Sequence, residues 1–312
     1  MRTLRRGACE PRRGEFPRGA AGSTMHSSFY DRPNEGDGRT VMLIHGMWSH
    51  PRVWDNFRGF LEARGYTVIV PALRHRTEPG GDPHPELGIT SVADYANDLA
   101  AEIARLGRKP LVVGHSMGGL LAQILAARDL VQSAVCLASA HCAGYMSFDP
   151  KPLWIFRNQT LSGRFWQRPQ LPTFETMRFG ILNGLPATER ESMYAMLIPE
   201  SGRAFFEIAY WFFDRRRATV VNPADVSCPL LMLTGVDDRL TPVHMTKRVV
   251  EGYEGRAMLE TLPGHAHWLP AEPGWESIAE RTVHFFETEA PAMAQRISAA
   301  APAGFGGLVP VR

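Results

Sequence analysis

Short apolar runs alternate with longer stretches of helical spacing through most of this chain, and that alternation restricts the fold more than any other feature. Val41-Met42-Leu43-Ile44 is an unbroken apolar run stopped by Gly46, the signature of a buried strand. Residues 51–64 follow with Val53, Phe57, Phe60 and Leu61 at helical spacing, Pro51 in the first turn and Gly65 at the end. Further strands are predicted over 67–70, 111–113, 134–138, 230–233 and 258–262. Helices are predicted over 91–106, where Ser91 can cap the start, and over 116–128, about 242–253 and 274–288. A loop rich in Pro, Gly and His covers 74–89. Strands that are apolar on every residue need cover on both faces. Strands separated by helices run parallel. Together these imply an α/β fold with a mostly parallel, doubly wound sheet.

The alternation breaks between about 140 and 228. That stretch is dense in aromatics, among them Trp154, Phe165, Trp166, Phe205, Tyr210 and Phe213, and reads as helices without strands. The resulting division is a core of 29–140 and 228–289, with a helical cap of 141–227 inserted after the strand at 134–138. A disordered basic segment is expected over 1–28, with Met25 or a nearby residue beginning the fold, and a loose C-terminal tail over 290–312.

Composition removes several function classes. At 312 residues, 44% hydrophobic and 21% charged, the chain is an ordinary globular sequence, not a disordered or fibrous one. The net charge of +2 is uneven. Residues 1–24 carry six arginines against two glutamates, a net of +4, which leaves −2 on the remaining 288 residues. The basic balance belongs to the tail, so no nucleic-acid partner is expected. The densest apolar run, residues 205–213, is nine long and contains Glu207, too short for a membrane span. Cys9, Cys136, Cys142 and Cys228 show no metal-ligand spacing and read as reduced intracellular thiols, so a cytoplasmic location is expected.

Four segments carry chemistry. Leu111-Val112-Val113-Gly114-His115-Ser116-Met117-Gly118-Gly119 is strand, Gly-x-Ser-x-Gly, helix. A serine on such a sharp turn holds its hydroxyl in the open, with the helix N-terminus behind it favouring negative charge. Ile44-His45-Gly46-Met47-Trp48 closes the first strand, where the Met47 N–H can join the Met117 N–H in holding an oxyanion. After the fifth strand, Asp237 and Asp238 compete as the carboxylate that orients a histidine. After the sixth, Gly264-His265-Ala266-His267-Trp268 supplies two candidate bases. The His-x-His pair lacks a third ligand with supporting spacing, so no metal is expected. His75, His84 and His141 read as loop or pocket-wall residues. Trp48, His115 and Trp268 flank the motifs and are candidate substrate-pocket residues.

These segments together resemble the α/β-hydrolase family over about residues 38–288, in its serine ester hydrolase, lysophospholipase-like branch. The order Ser, Asp, His is that family's order. Its Gly-x-x-Asp-x-x-x-Pro spacing falls on Gly235, Asp238 and Pro242, which favours Asp238. Its spacing of five from His to Glu, followed by Pro, counts back from Glu272 to His267, although Ala266 stands where the family commonly has Gly. The resemblance implies a Ser116–His267–Asp238 triad, an oxyanion hole at Met47 and Met117, no cofactor, and the inserted cap acting as a lid. Carboxylesterase or lipase-like cleavage of an apolar, medium-sized ester or lactone through an acyl-enzyme is the expected activity, on a small-molecule ester partner. Thioester hydrolysis, perhydrolysis, hydroxynitrile cleavage or a non-enzymatic ligand receptor are the alternatives on the same fold.

Overall fold

The computed structural model describes residues 39–146, 149–161 and 163–300. The expected segment 1–28 and residues 29–38 of the expected core lie outside the described residues. In chain order the elements begin β1 (Thr40–Ile44), α1 (Asp55–Glu62), β2 (Thr67–Ile69), α2 (Val92–Leu106), β3 (Leu111–His115), α3 (Met117–Ala127) and β4 (Ser133–Leu137). The insertion carries α4 (Pro150–Leu161), β5 (Pro169–Gln170), α5 (Phe174–Gly180), α6 (Arg190–Ala195), β6 (Glu200–Ser201) and α7 (Gly202–Ala209). The chain returns to β7 (Leu230–Gly235), α8 (Val243–Gly252), β8 (Ala257–Leu262), α9 (Trp275–His284) and α10 (Ala290–Ala300).

Six strands form one parallel sheet in the order β2-β1-β3-β4-β7-β8. Side chains alternate across it. Met42, Ile44, Val112, Ala134 and Met232 pack with α2 and α3 residues on one face. Val41, Leu43, Val113, Leu137 and Leu231 pack with Phe57 and Leu61 of α1 and Ile278 and Val283 of α9 on the other. Both layers are apolar, which is why the strands read as continuous runs rather than alternating ones. Helix α2 is held by a capping box, Ser91 with Asp94, and closes on Gly107 at φ 65°. The strand order reverses between β1 and β3, and the carboxyl ends of strands at such a switch point flank an open crevice.

Two expectations are corrected. The insertion contains strands: β5 and β6 pair antiparallel, Pro169 with Ser201 and Gln170 with Glu200. Strands of two residues have too few positions to show a period, and only the pairing reveals them. The tail is ordered over its first part. The helix continues from α9 through a π turn at Phe285–Glu289 into α10, with Ala290 and Met293 buried. Alanine is the strongest helix former, and Pro291, which lacks an N–H for the carbonyl four residues back, accounts for the changed turn before it. Residues 301–312 lie outside the described residues.

The insertion is pinned to the core by buried polar groups. Arg76 and Glu200 form an ion pair with side chains almost fully buried. Glu200 also accepts from the Tyr95 hydroxyl at 2.7 Å and the Ser201 N–H at 2.6 Å. Beside it the Glu207 carboxylate takes the Ser91 hydroxyl at 2.8 Å, the Val92 N–H at 2.8 Å and Arg203 at 2.6 Å. Removing one partner of a buried ion pair strands the other charge, so Glu200→Ala is expected to lose about 3 kcal/mol in urea unfolding. The double variant Arg76→Met/Glu200→Leu is expected to lose markedly less than Glu200→Ala alone.

Candidate active site

The turn between β3 and α3 is built by what its glycines lack. A Cβ on Gly114 would lie 2.2 Å from the Gly118 carbonyl oxygen, and one on Gly118 would lie 2.0 Å from that of Ile44. Only glycine lets the helix sit so close to both strands. Between them Ser116 takes φ 53° and ψ −116°, a strained conformation for a residue with a side chain. Backbone bonds fix it: its N–H donates to Leu137 O at 2.9 Å, and its carbonyl accepts from Gly119 and Ala140 N–H groups, each at 2.9 Å.

Three side chains from distant segments meet there. Ser116 Oγ lies 3.1 Å from His267 Nε2, and His267 Nδ1 lies 2.9 Å from Asp238 Oδ2. All three are buried. Asp238 follows β7. Its Oδ1 accepts from the Leu240 and Thr241 N–H groups, each at 2.8 Å, and its Oδ2 from the Thr241 hydroxyl at 2.6 Å. Burial pushes the Asp238 pKa up, but the adjacent His267 ring and these donors outweigh it and hold the carboxyl below its ordinary 3.8. Asp237 is exposed, with its backbone bonded to His265 and Asn183. His265 Nδ1 sits 3.5 Å from Glu272, not against Ser116.

Glu272 is more than a spacing marker. Its carboxylate accepts the Ala266 N–H at 2.8 Å and the Trp268 N–H at 2.7 Å, gripping the backbone on both sides of His267. A Cβ on Gly184 of the insertion would lie 2.4 Å from that carboxylate. The acid was visible in the sequence, but its backbone role was not, because the bonds run to main-chain groups of any identity. Thr241 was likewise missed, although Thr-Pro at a helix start was legible.

His115 Nε2 lies 2.8 Å from the His267 carbonyl oxygen, and its ring meets Trp268 edge-on at 5.4 Å. Both side chains are buried behind His267. Trp48 reaches the other way: its Nε1 donates to Gln170 O at 2.9 Å, its carbonyl accepts from Ile198 N–H at 2.9 Å, and its ring lies 6.3 Å from Phe156. Met47 is nearly buried, just past Gly46, where a Cβ would lie 3.0 Å from Ser116 Cβ. Met117 opens α3, so its N–H is among the first-turn amides with no intrahelical acceptor. An open depression of about 530 Å3 adjoins the acid side, lined by Lys151, Phe179, Asn183, Asp238, Arg239 and Ala266 among others. Among the described residues, the three-ligand set whose atoms approach within 4.8 Å is His75, His84 and Glu86 of the loop before α2, which includes neither His265 nor His267.

Burial lowers the pKa of His115 to about 3 and of His141 to about 4, and holds His45 well below 6.5. These rings are neutral in the folded protein, whereas the unfolded chain protonates them near 6.5. The unfolded state therefore binds more protons below pH 6.5, and each ring removes up to about 1.4 kcal/mol of stability per pH unit as pH falls through that window. Urea midpoints are expected to drop steadily from pH 7 to pH 5, and His115→Asn, which keeps a donor for the His267 carbonyl, is expected to flatten that slope.

Residues 41–282 match the family model described as the alpha/beta hydrolase family. A pyrethroid hydrolase of Sphingobium wenxiniae is 35% identical over 79 residues, which span 25% of this chain and 27% of that one. An AB hydrolase superfamily protein of Gibberella zeae is 32% identical over 148 residues, 45% of this chain and 49% of that one. The chain thus spans less than half the length of these curated relatives. Among solved structures, a pyrethroid hydrolase from Sphingobium faniae shares 22% identity at a TM-score of 0.57, covering 81% of this chain and 98% of that one, a likeness of fold. The six-stranded parallel sheet, the sharp turn at Ser116 and the match over 41–282 together establish that this chain belongs to the alpha/beta hydrolase family.

Proposed function

We propose that this chain is a serine hydrolase that cleaves a carboxylic ester through an acyl-enzyme. The observation that carries the reading is the continuous hydrogen-bond path from Ser116 Oγ through both nitrogens of His267 to Asp238 Oδ2. Ser116 attacks the acyl carbon as His267 Nε2 takes the hydroxyl proton. The Met47 and Met117 amides hold the oxyanion, each such donor being typically worth about 3 kcal/mol in the transition state. His267 then returns the proton to the leaving alkoxide. Water, activated by the same nitrogen, attacks the acyl-enzyme and releases the acid. Asp238 keeps the proton of the neutral ring on Nδ1 and stabilises the imidazolium. Glu272, His115 and Trp268 hold His267 in place rather than touching substrate.

The segment 141–227 acts as the lid. Trp48, Phe156 and Phe205 stand in one ring cluster of buried or half-buried aromatics where the lid meets the sheet, with Phe156 and Phe205 centroids 4.7 Å apart. Such a wall favours an apolar, medium-sized acyl ester or lactone. The pyrethroid hydrolases that the chain resembles support the ester reading.

A panel of p-nitrophenyl esters of increasing acyl length tests both parts. Hydrolysis by wild type is expected, with kcat/KM rising to a medium chain length. Ser116→Ala is expected to lose roughly 10⁴- to 10⁶-fold in kcat, and Asp238→Asn about 10⁴-fold. A fluorophosphonate probe is expected to label wild type at Ser116. Hydrolysis that survives Ser116→Ala, or a probe that leaves Ser116 unlabelled, would sink the assignment.

A further inference from the structure

One surface of the insertion has no role in the proposed reaction. The turn Trp211–Phe213 follows α7 and puts large aromatic side chains into solvent. Phe212 is 46% exposed and Phe213 68%, with their ring centroids 4.5 Å apart. Tyr210 extends the cluster toward α4: its ring lies 6.3 Å from Phe212, and its hydroxyl is 2.7 Å from Thr160 Oγ1. The next residue of α4, Leu161, is 80% exposed. Folding would ordinarily hide such groups, and a contiguous exposed apolar patch marks a contact surface.

The charges beside it say what that surface fits. Arg215, Arg216 and Arg217 follow at once, all exposed, and among the described residues none pairs with a carboxylate. The neighbouring acid, Asp214, does not offset them. It is buried, its Oδ1 takes Arg203 at 3.0 Å and the Arg216 N–H at 3.1 Å, and its Oδ2 takes the Ala218 N–H at 2.8 Å. A cavity of about 340 Å3 opens at the same place, lined by Gly144, Trp211, Phe212, Asp214, Arg217 and Val220 among others.

We propose that this tip, with Phe212 and Phe213 inserted and Arg215, Arg216 and Arg217 flanking them, docks the protein on an anionic lipid surface. Aromatic rings enter the boundary between headgroups and acyl chains, while guanidinium groups pair with the phosphates. A second copy of the chain is a poorer occupant. A two-fold contact through the tip would bring these three arginines, which have no carboxylate partner among the described residues, up to three others. Docking at the tip would present the insertion to molecules dissolved in the lipid.

Co-sedimentation of the full chain with vesicles tests this, using phosphatidylcholine alone and phosphatidylcholine mixed with phosphatidylserine. Wild type is expected to bind the mixed vesicles and to leave the neutral ones largely free. The triple variant Arg215→Glu/Arg216→Glu/Arg217→Glu is expected to lose at least about a hundredfold in partitioning, since each basic group near an anionic surface contributes about fivefold and the new acids are repelled. Phe212→Ser/Phe213→Ser is expected to lose about tenfold or more at unchanged charge. Both variants alter exposed side chains and are expected to keep the wild-type melting temperature. Binding that the Phe212→Ser/Phe213→Ser variant retains in full would overturn the proposal, and retention by the arginine variant as well would assign binding to the arginines of residues 1–24. Failure of wild type to bind mixed vesicles at low salt would overturn it as well. So would self-association of wild type that the variants abolish, which would make a second copy the occupant.

Discussion

The first turn of α3 presses on the end of β1, with Gly118 against the Ile44 carbonyl. A side chain there would sit 2.0 Å from that oxygen. The serine side of the sheet's carboxyl edge depends on this contact. It places the start of α3 over the β1–β3 switch point, bends Ser116 into its positive φ, and draws the chain at Gly46 and Met47 against the serine. The strain at Ser116 persists because three backbone partners hold the turn from β4, the loop after it and α3 itself.

Around that turn, precision is supplied mostly by main-chain hydrogen bonds. Glu272 does not approach Ser116, yet its two oxygens fix the peptide groups on either side of His267. His115 bonds the carbonyl of His267 itself. Asp238 is oriented by the first amides of its own turn. The proposed relay is thus three side chains resting on a larger set of groups that lock their backbones. The arrangement also explains the expected sensitivity to acid. Desolvated rings such as His115 and His141 stay neutral in the fold, so protons taken up as pH falls go to the unfolded chain.

The insertion packs apolar side chains and buried ion pairs against the core, and two large aromatic rings stand out on its far side. Arg76, Glu200, Glu207 and Arg203 form paired ions on its inner side. Phe212 and Phe213 stand in water on the outer side. Buried pairs are specific in geometry but contribute little net stability. The buried pairs fix where the insertion sits, and its apolar side chains, among them Leu182, Phe205 and Val226, share one buried cluster with those of the core.

Local residue patterns dictate the sheet, its helices and the chemical groups. Runs such as Val41 to Ile44 can be satisfied only with cover on both faces, Gly-x-Ser-x-Gly between strand and helix permits few turns, and the capping of α2 by Ser91 is a local matter. Proximity was decided by the tertiary structure alone. Asp237 and Asp238 are equal as residue types apart from the spacing to Gly235 and Pro242, as are His265 and His267 without the downstream Glu and Pro. Only the path of β7 and β8 turns one acid and one imidazole inward. The two-residue strands β5 and β6, the ordered helix α10 and the grip of Glu272 escaped notice for a related reason. Each depends on hydrogen bonds or burial against segments remote in the chain, and a local pattern of side chains carries no record of which backbone groups will come to lie beside it.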